Sequence, residues 1–185
     1  MFRNAALGWF SVFVLITVLF LIFVGASVTS NQAGLSVPDW PTTYGYSMFS
    51  FPVSRWVGGI FYEHGHRILA SIVGMLTVAL TIWIWIVEKR RWVKLTSAWA
   101  VGAVVLQGVM GGLTVRMQLP LLVSTFHAVL GQTFMCLILV LTFSQLKECR
   151  IGESETGLET RPKAVFYSAI ALLLSVYLQL LWGAL

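Results

Sequence analysis

The stretch that decides the fold of this chain is residues 61–67, which read Phe61-Tyr62-Glu63-His64-Gly65-His66-Arg67. A carboxylate, two imidazoles and a guanidinium fall within five positions, and the apolar segment 68–87 follows at once. Ionisable groups near lipid cost several kcal/mol unless something satisfies them. We therefore expect these side chains to be buried in protein, paired with one another, or holding a cofactor.

The remainder of the sequence is that of an integral membrane protein. Hydrophobic residues make up 58% of the chain and charged residues 10%, whereas soluble domains have about 45–50% and about 25%. Five apolar runs each reach the roughly 20 residues that a helix needs to cross a bilayer: 7–27, 68–87, 95–115, 121–146 and 164–185. They lack the alternation of a membrane barrel. The sequence predicts an all-α integral membrane fold, a four-helix transmembrane bundle plus a fifth transmembrane helix.

The positive charges predict the orientation of these helices. Nine of the twelve Lys and Arg residues lie on one side of the predicted spans, at positions 3, 89–91, 94, 147, 150, 161 and 163. The positive-inside rule places that side in the cytoplasm. We expect a multi-pass protein of a bacterial or archaeal plasma membrane, with a cytoplasmic N-terminus. These anchors account for the net charge of +5, so no nucleic-acid partner is needed to explain it.

The predicted domains follow the apolar runs. Residues 1–147 form the four-helix bundle with a long external loop at 28–61, residues 148–163 form a charged cytoplasmic linker, and residues 164–185 form the fifth helix. A Gly-Ala step near the end of the fifth run echoes Gly25-Ala26 near the end of the first. The fifth helix either opens a second copy of the unit, in a truncated or half-length dimerising chain, or is a plain anchor. The loop is either an aromatic belt at the membrane interface or a lid over a site, and both can hold.

Two histidines indicate a cofactor site. His66 and His127 each lie just inside the external end of an outside-to-inside helix, so both imidazoles can lie at similar depth on facing helices of a bundle. The alternative is that each is a satisfied core residue. Two imidazoles without cysteines suit an iron porphyrin better than zinc, which takes four ligands. His64 points roughly 160° away from His66 on a helix and is interpreted as a rim residue.

Charged and small residues complete the predicted site. Arg67 and Arg116 lie at the external face, where they could pair with haem propionates. Glu63 shares a helix face with His66 and is also one turn from Arg67. It either serves a substrate as proton acceptor or stabilising charge, or forms an ion pair with Arg67. Gly108 and Gly112 form a small-xxx-small pair that lets a helix or a flat ligand approach the backbone.

Four segments resemble haem A synthase in order and spacing: 31–41 (NQAGLSVPDWP), 62–67 (YEHGHR), 107–114 (QGVMGGLT) and Phe126-His127. The resemblance covers that family's N-terminal four-helix half plus the first helix of its C-terminal half. It implies an oxidoreductase that converts haem O to haem A, by oxidising a porphyrin methyl group to a formyl, for cytochrome oxidase assembly. It also implies that Glu63 matches the family's essential glutamate, and that His66 and His127 match the histidine pair of the substrate-side half.

The resemblance has further implications and two departures. The family's other half binds haem b through a second histidine pair, which is absent because the chain stops at Leu185. Haem b would then come from a partner subunit, and a second copy of the chain, a second half-subunit and haem O synthase are the expected partners. The loop lacks the cysteine pair of some members, so no thiol chemistry is implied. The alternatives are a non-enzymatic bis-histidine b-type cytochrome or haem carrier, and a structural subunit without cofactor.

Overall fold

The computed structural model describes residues 4–146 and 163–183, so most of the predicted linker lies outside the described residues. Within those ranges the fold is helical: α1 (Ala5–Ser30), α2 (Gly59–Val87), α3 (Arg91–Arg116), α4 (Leu121–Ser144) and α5 (Lys163–Gly183). Residues 31–58, hereafter the long loop, join α1 to α2 and contain two short 3₁₀ helices, Met48–Ser50 and Val53–Arg55. The described residues contain no strand, and an isolated bridge joins Thr43 and Tyr46 in the long loop. The all-α prediction is confirmed.

Four helices, α1 to α4, are long and apolar enough to cross a membrane. Their outward faces carry large exposed apolar side chains such as Trp9, Phe13, Phe20 and Phe23, as expected where lipid rather than water covers a helix. The prediction of a multi-pass membrane protein is confirmed for these helices. In α5 the described residues provide a shorter apolar helical stretch, Ile170–Gln179, so its crossing of the membrane stays a prediction.

Helix α2 begins earlier than the apolar run that predicted it. The chain turns at Gly58, which adopts a φ of +54°, and the helix starts at Gly59. A positive φ is the left-handed region that glycine enters without the usual steric penalty. All of residues 61–67 are therefore helical, which places Glu63 and Arg67 one turn apart.

The first four helices form an antiparallel bundle. Each packs on its neighbours in sequence, and α1 packs on α4, so α2 and α4 lie diagonally and run in the same direction. Polar side chains bridge the helices: Thr142 donates to the carbonyl of Ser11 over 3.2 Å, and Trp85 Nε1 donates to Ser97 Oγ over 3.2 Å. Helix α5 packs on α4.

Burial differs between the two halves of the bundle. The half away from the long loop, the far half, has a close-packed core of fully buried side chains: Leu7, Val14, Val18, Val73, Leu80, Ile84, Val93, Ala100, Phe134, Ile138 and Leu141. In the half next to the long loop, the loop half, the segments 19–30, 68–72, 101–111 and 121–133 contain no fully buried residue. Close packing is the rule for protein interiors, so the loop half is built differently from the far half.

A buried carboxylate shapes the turn between α2 and α3. Glu88 Oε1 accepts from the backbone N–H groups of Lys89 and Arg90 over 2.8 and 3.0 Å, and Oε2 accepts from the Arg90 guanidinium over 2.8 Å. The same guanidinium donates to the carbonyl of Ser144 over 2.5 Å. Burial raises the pKa of the Glu88 carboxyl, but the donors of Arg90 and Lys89 lower it by more, from the ordinary 4.5 to about 2. This turn ties α2 and α3 to the end of α4.

Replacement of this carboxylate tests the turn. We expect Glu88→Gln to lower the free energy of unfolding by about 2–3 kcal/mol at neutral pH, because the folded state holds the ionised form. The depressed pKa means that this contribution is full above pH 4.5 and is lost as the pH falls towards 2. Thermal unfolding in detergent across that range measures the difference between wild type and variant. Lys89→Gln, which removes an exposed neighbouring charge, is the control, and a difference that does not shrink in acid would contradict the assignment.

Candidate functional site

Each of the two predicted ligand histidines lies against a glycine of the preceding helix. A Cβ built on Gly25 of α1 would lie 2.9 Å from Cε1 of His66, and one built on Gly111 of α3 would lie 3.3 Å from Cε1 of His127. Both contacts fall in the loop half of the bundle. Because contacts shorter than about 3.4 Å leave little room for a side chain, glycine allows each ring to lie against the opposing backbone.

The two imidazoles both lie in the loop half of the bundle, one against α1 and the other against α3. Nδ1 of His66 and Nδ1 of His127 are both buried and make no well-formed hydrogen bond among the described residues, although the backbone carbonyls of Leu21 and Gln107 lie near the respective rings. Buried polar atoms of this kind are uncommon in folded proteins, and each calls for a partner such as a water, an ion or a bound group. Each predicted ligand histidine thus lies in the loop half of the bundle, against a glycine, and that the two share one ligand stays a prediction.

Glu63 and Arg67 form a buried ion pair beneath the long loop. Arg67 Nη2 donates to Glu63 Oε1 over 2.6 Å, and the backbone N–H of Val37 donates to Glu63 Oε2 over 2.8 Å. Glu63 is 4% exposed and Arg67 is 9% exposed. The ion pair that the sequence allowed as one reading of Glu63 is therefore present, and both carboxylate oxygens are engaged.

The Arg67 guanidinium also holds the loop backbone. Nη1 donates to the carbonyls of Asp39 and Thr42 over 2.7 and 3.2 Å, and Nη2 donates to the carbonyl of Val37 over 2.9 Å. With the bond to Glu63, these contacts occupy the four N–H groups of both Nη atoms and leave only Nε–H. Arg116, in contrast, is exposed at the end of α3, so it is the better placed of the two arginines for an additional anionic partner.

Asp39 organises the middle of the long loop. Its Oδ1 accepts from the Tyr44 backbone N–H over 2.7 Å, and its Oδ2 accepts from the Thr42 hydroxyl and the Gly45 backbone N–H over 2.5 and 2.9 Å. Burial raises the pKa of the Asp39 carboxyl, but the donors of Gly45, Thr42 and Tyr44 lower it by more, to below its ordinary 3.8. An ionised Asp39 thus fixes a tight turn in a loop that lacks regular structure.

The long loop closes over the end of the bundle. The indole of Trp40 packs so tightly on Gly112 of α3 that a Cβ there would lie 2.4 Å from the ring, and Leu119 packs on Gly34. These contacts support the lid interpretation. Tyr46 and Phe49 in the same loop are exposed, as an aromatic belt would require, so the two readings coexist in different parts of the loop.

His64 lies in the interior of this lid rather than at a rim. It is fully buried, its Nδ1 is 3.1 Å from the Thr43 hydroxyl, and its ring packs on Phe51 and Trp56 with centroids 5.0 and 4.6 Å apart. Because α2 begins before both histidines, His64 and His66 point to different neighbours: the loop and α1. The structure does not bring His64 together with His66 and His127.

Three residues near the histidines were not predicted from the sequence to belong to the site: Gly25, Gly111 and Gln107. Gly25 and Gly111 were not identified as the partners of the histidines, although a glycine in a transmembrane helix often marks a close contact. Gly108 of the predicted small-residue pair faces open space. Gln107, one turn before Gly111, has a buried side-chain oxygen without a partner among the described residues; a lone glutamine in an apolar helix was the available signal.

The described residues contain no other candidate metal centre, since no group of three or more His, Cys, Asp or Glu side chains in them could hold a metal ion. A cavity of about 390 Å³ lies at the surface of the long loop and the start of α2. Its lining residues are Tyr44, Phe51, Ser54, Arg55, Val57 and Ile60. None of the six predicted site residues lines it, although Phe51 also packs on His64. The cavity is therefore separate from His66 and His127.

Comparison with known proteins adds three relatives. The curated haem A synthase of Exiguobacterium sibiricum is 28% identical over 141 residues, covering 75% of this chain and 46% of the relative. That of Shewanella oneidensis is 27% identical over 185 residues, covering 90% and 54%. That of Symbiobacterium thermophilum is 30% identical over 146 residues, covering 78% and 44%. The chain spans about half the length of the curated relatives it matches.

No solved structure shows a significant match to this chain. A family model described as "COX15-CtaA: Cytochrome oxidase assembly protein" matches residues 46–185. The match includes α2 to α5 and all six predicted site residues, among them Glu63, His66 and His127. Since it covers well over half of the sequence, the chain belongs to the COX15-CtaA family of cytochrome oxidase assembly proteins.

Proposed function

We propose that this chain is the haem-binding, substrate-side half of a haem A synthase. In that role it takes part in converting haem O to haem A, by oxidation of a porphyrin methyl group to a formyl, for cytochrome oxidase assembly. The observation that carries the proposal is the pair of imidazoles, His66 and His127, which lie on diagonal helices in the loop half, each against a glycine. The family membership and the relatives named haem A synthase support it.

The residues present fit an iron porphyrin. Two imidazoles from facing helices are side chains that would hold a haem iron. The loop half contains no fully buried residue in the segments that surround the rings, and helix bundles commonly place cofactors between such facing side chains. His66 and His127 would hold the haem, which supplies its iron and its oxidisable methyl group. Arg116, at the exposed end of α3, would pair with a propionate.

Glu63 is the proposed catalytic residue. Its carboxylate lies on the helix turn that also carries His66, at the boundary between the bundle and the long loop. Oxidation of a methyl group to a formyl, with the oxygen counted as water, releases four protons and four electrons. A carboxylate held in place by Arg67 and Val37 can stabilise positive charge beside the substrate without reorganising. To accept a proton it must first exchange one of these two hydrogen bonds.

The remaining expectations belong to the same proposal. The long loop and the histidine site face the outer side of a bacterial or archaeal plasma membrane, and α5 is a fifth transmembrane helix. Haem b, the electron-transferring group of the other half, is held by a second half-subunit or a second copy of the chain. Haem O synthase is the expected supplier of the substrate.

A second candidate function is a bis-histidine b-type cytochrome or haem carrier without enzymatic activity. One observation favours it: both oxygens of Glu63 are already engaged, by Arg67 and by the backbone of Val37. Mass spectrometry of the extracted pigment separates the two functions. Haem A formation supports the enzyme, whereas reversible reduction with an unchanged porphyrin mass supports the carrier.

The axial ligands are tested by replacing each histidine. We expect the purified chain to bind haem with a bis-imidazole spectrum, and His66→Ala or His127→Ala to weaken binding by about 100-fold or more, since each removes a ligand to the iron. Soret titration in detergent measures this. His64→Gln, which keeps a partner for Thr43, should bind like wild type. Unchanged binding in either alanine variant would exclude the proposed site.

The role of Glu63 is tested in cells that lack their own haem A synthase. The chain is expressed together with the C-terminal half of a curated relative, and membrane haems are extracted. Glu63→Gln should accumulate haem O or a hydroxylated intermediate while retaining the bis-imidazole spectrum, because the amide removes the charge beside the substrate but keeps a hydrogen-bonding group of the same shape. Arg67→Lys, which keeps a cation beside the carboxylate but loses most of the contacts with the loop, is the control for loop closure. Normal haem A in Glu63→Gln would rule out the catalytic role.

A further inference from the structure

Gln107 places a polar group in the apolar interface between α3 and α4. It lies one helical turn before Gly111, the glycine that faces His127. Its Nε2 lies 2.8 Å from where a Cβ on Gly131 would be, and Gly131 lies one turn after His127 on α4. Each of these two helices thus contributes a large polar side chain and a glycine to the other. The carboxamide lies about one turn deeper in the bundle than the His127 ring, a distance of about 5 Å along the helix axis.

The carboxamide oxygen of Gln107 is unsatisfied. Oε1 is buried and has no hydrogen-bond partner in the described part of the chain. The hydroxyl of Ser124, one turn before His127 on α4, is also buried without a partner there. A buried acceptor without a donor is costly, and among apolar side chains a Leu or Met would pack without that penalty. The amide at this position therefore calls for a donor on whatever lies beside His127.

Charge differs between the loop end and the middle of the bundle. Arg116 is exposed at the loop end of α3, and Gln107 lies more than two turns further in. With about 100° per residue, Arg116 falls on the face of α3 opposite Gln107, so it can meet a ligand beside His127 only through its long side chain at the end of the helix. The loop end therefore offers a cation, and the deeper position offers a neutral carboxamide. A ligand held by His127 would have its anionic edge at the loop end and a neutral hydrogen-bond donor towards the middle of the bundle.

Haem O matches that order of groups. Its two propionates lie on one side of the porphyrin, and its hydroxyl-bearing isoprenoid side chain lies on the half of the ring away from them. We propose that Gln107 accepts a hydrogen bond from that hydroxyl and is thereby a specificity-determining residue that favours haem O over haem B, which has a vinyl group there. The proposal rests on the proposed function, because it assumes a porphyrin on His127.

The experiment measures binding preference and needs no turnover. The purified full chain is titrated with haem O and with haem B, and the Soret change gives both dissociation constants. Wild type should prefer haem O. Gln107→Met, of similar length and apolar, should lower the ratio of haem O to haem B affinity by about tenfold, the size expected for one buried hydrogen bond, with little change for haem B. Gln132→Met on α4 is the matched control and should leave the ratio unchanged.

The outcomes separate the two proposals. A wild-type chain that binds neither haem refutes the proposed function and this inference with it. A wild-type chain that binds both haems equally well, or a Gln107→Met variant with the wild-type ratio, refutes the inference alone. If Gln107→Met yields no folded protein, Gln107→Asn takes its place: it keeps the carboxamide but withdraws it by one methylene, and a ratio equal to wild type in that variant would also overturn the assignment.

Discussion

The interaction on which the loop half depends is the buried pair of Glu63 and Arg67. Together they satisfy one backbone N–H and three backbone carbonyls of the long loop. A loop of 28 residues whose regular structure is limited to two short 3₁₀ helices has many such groups to satisfy, and each one that is buried without a partner destabilises the fold. Removing either member of a buried ion pair leaves an uncompensated charge and is strongly destabilising. The lid is therefore attached to the bundle by one turn of α2.

The same turn of α2 also serves the histidine site. With about 100° between successive residues, Glu63, His64 and Arg67 fall within one arc, which faces the loop, and His66 lies about 60° beyond Glu63 on the other side. Glu63 consequently borders both surfaces. The ion pair and the proposed catalytic role of Glu63 are therefore compatible, since the contacts that attach the lid also fix the carboxylate beside His66.

How much of this could be predicted depended on whether a feature is local in sequence. The apolar runs, the i,i+4 neighbours Glu63 and Arg67, and the shared end of the histidines all follow from helical geometry and chain direction. The contacts of His66 with Gly25 and of His127 with Gly111 require the packing of two helices, which no local pattern contains. The burial of His64 required the path of the long loop, whose turn depends on side-chain hydrogen bonds to Asp39.

The two helical hairpins of the bundle contribute equivalent parts, and this bears on what half of a longer protein can do. In α1–α2 and again in α3–α4, the first helix provides a glycine near its end and the second provides a histidine near its start. The proposed ligands, their glycines and the lid all belong to residues 25–127, within one four-helix unit whose far half has its own core. None of these residues belongs to α5, although α5 packs on α4. Under the proposed function, the porphyrin would therefore be held by α1 to α4, whereas the four electrons of the oxidation would have to pass to a group outside this unit.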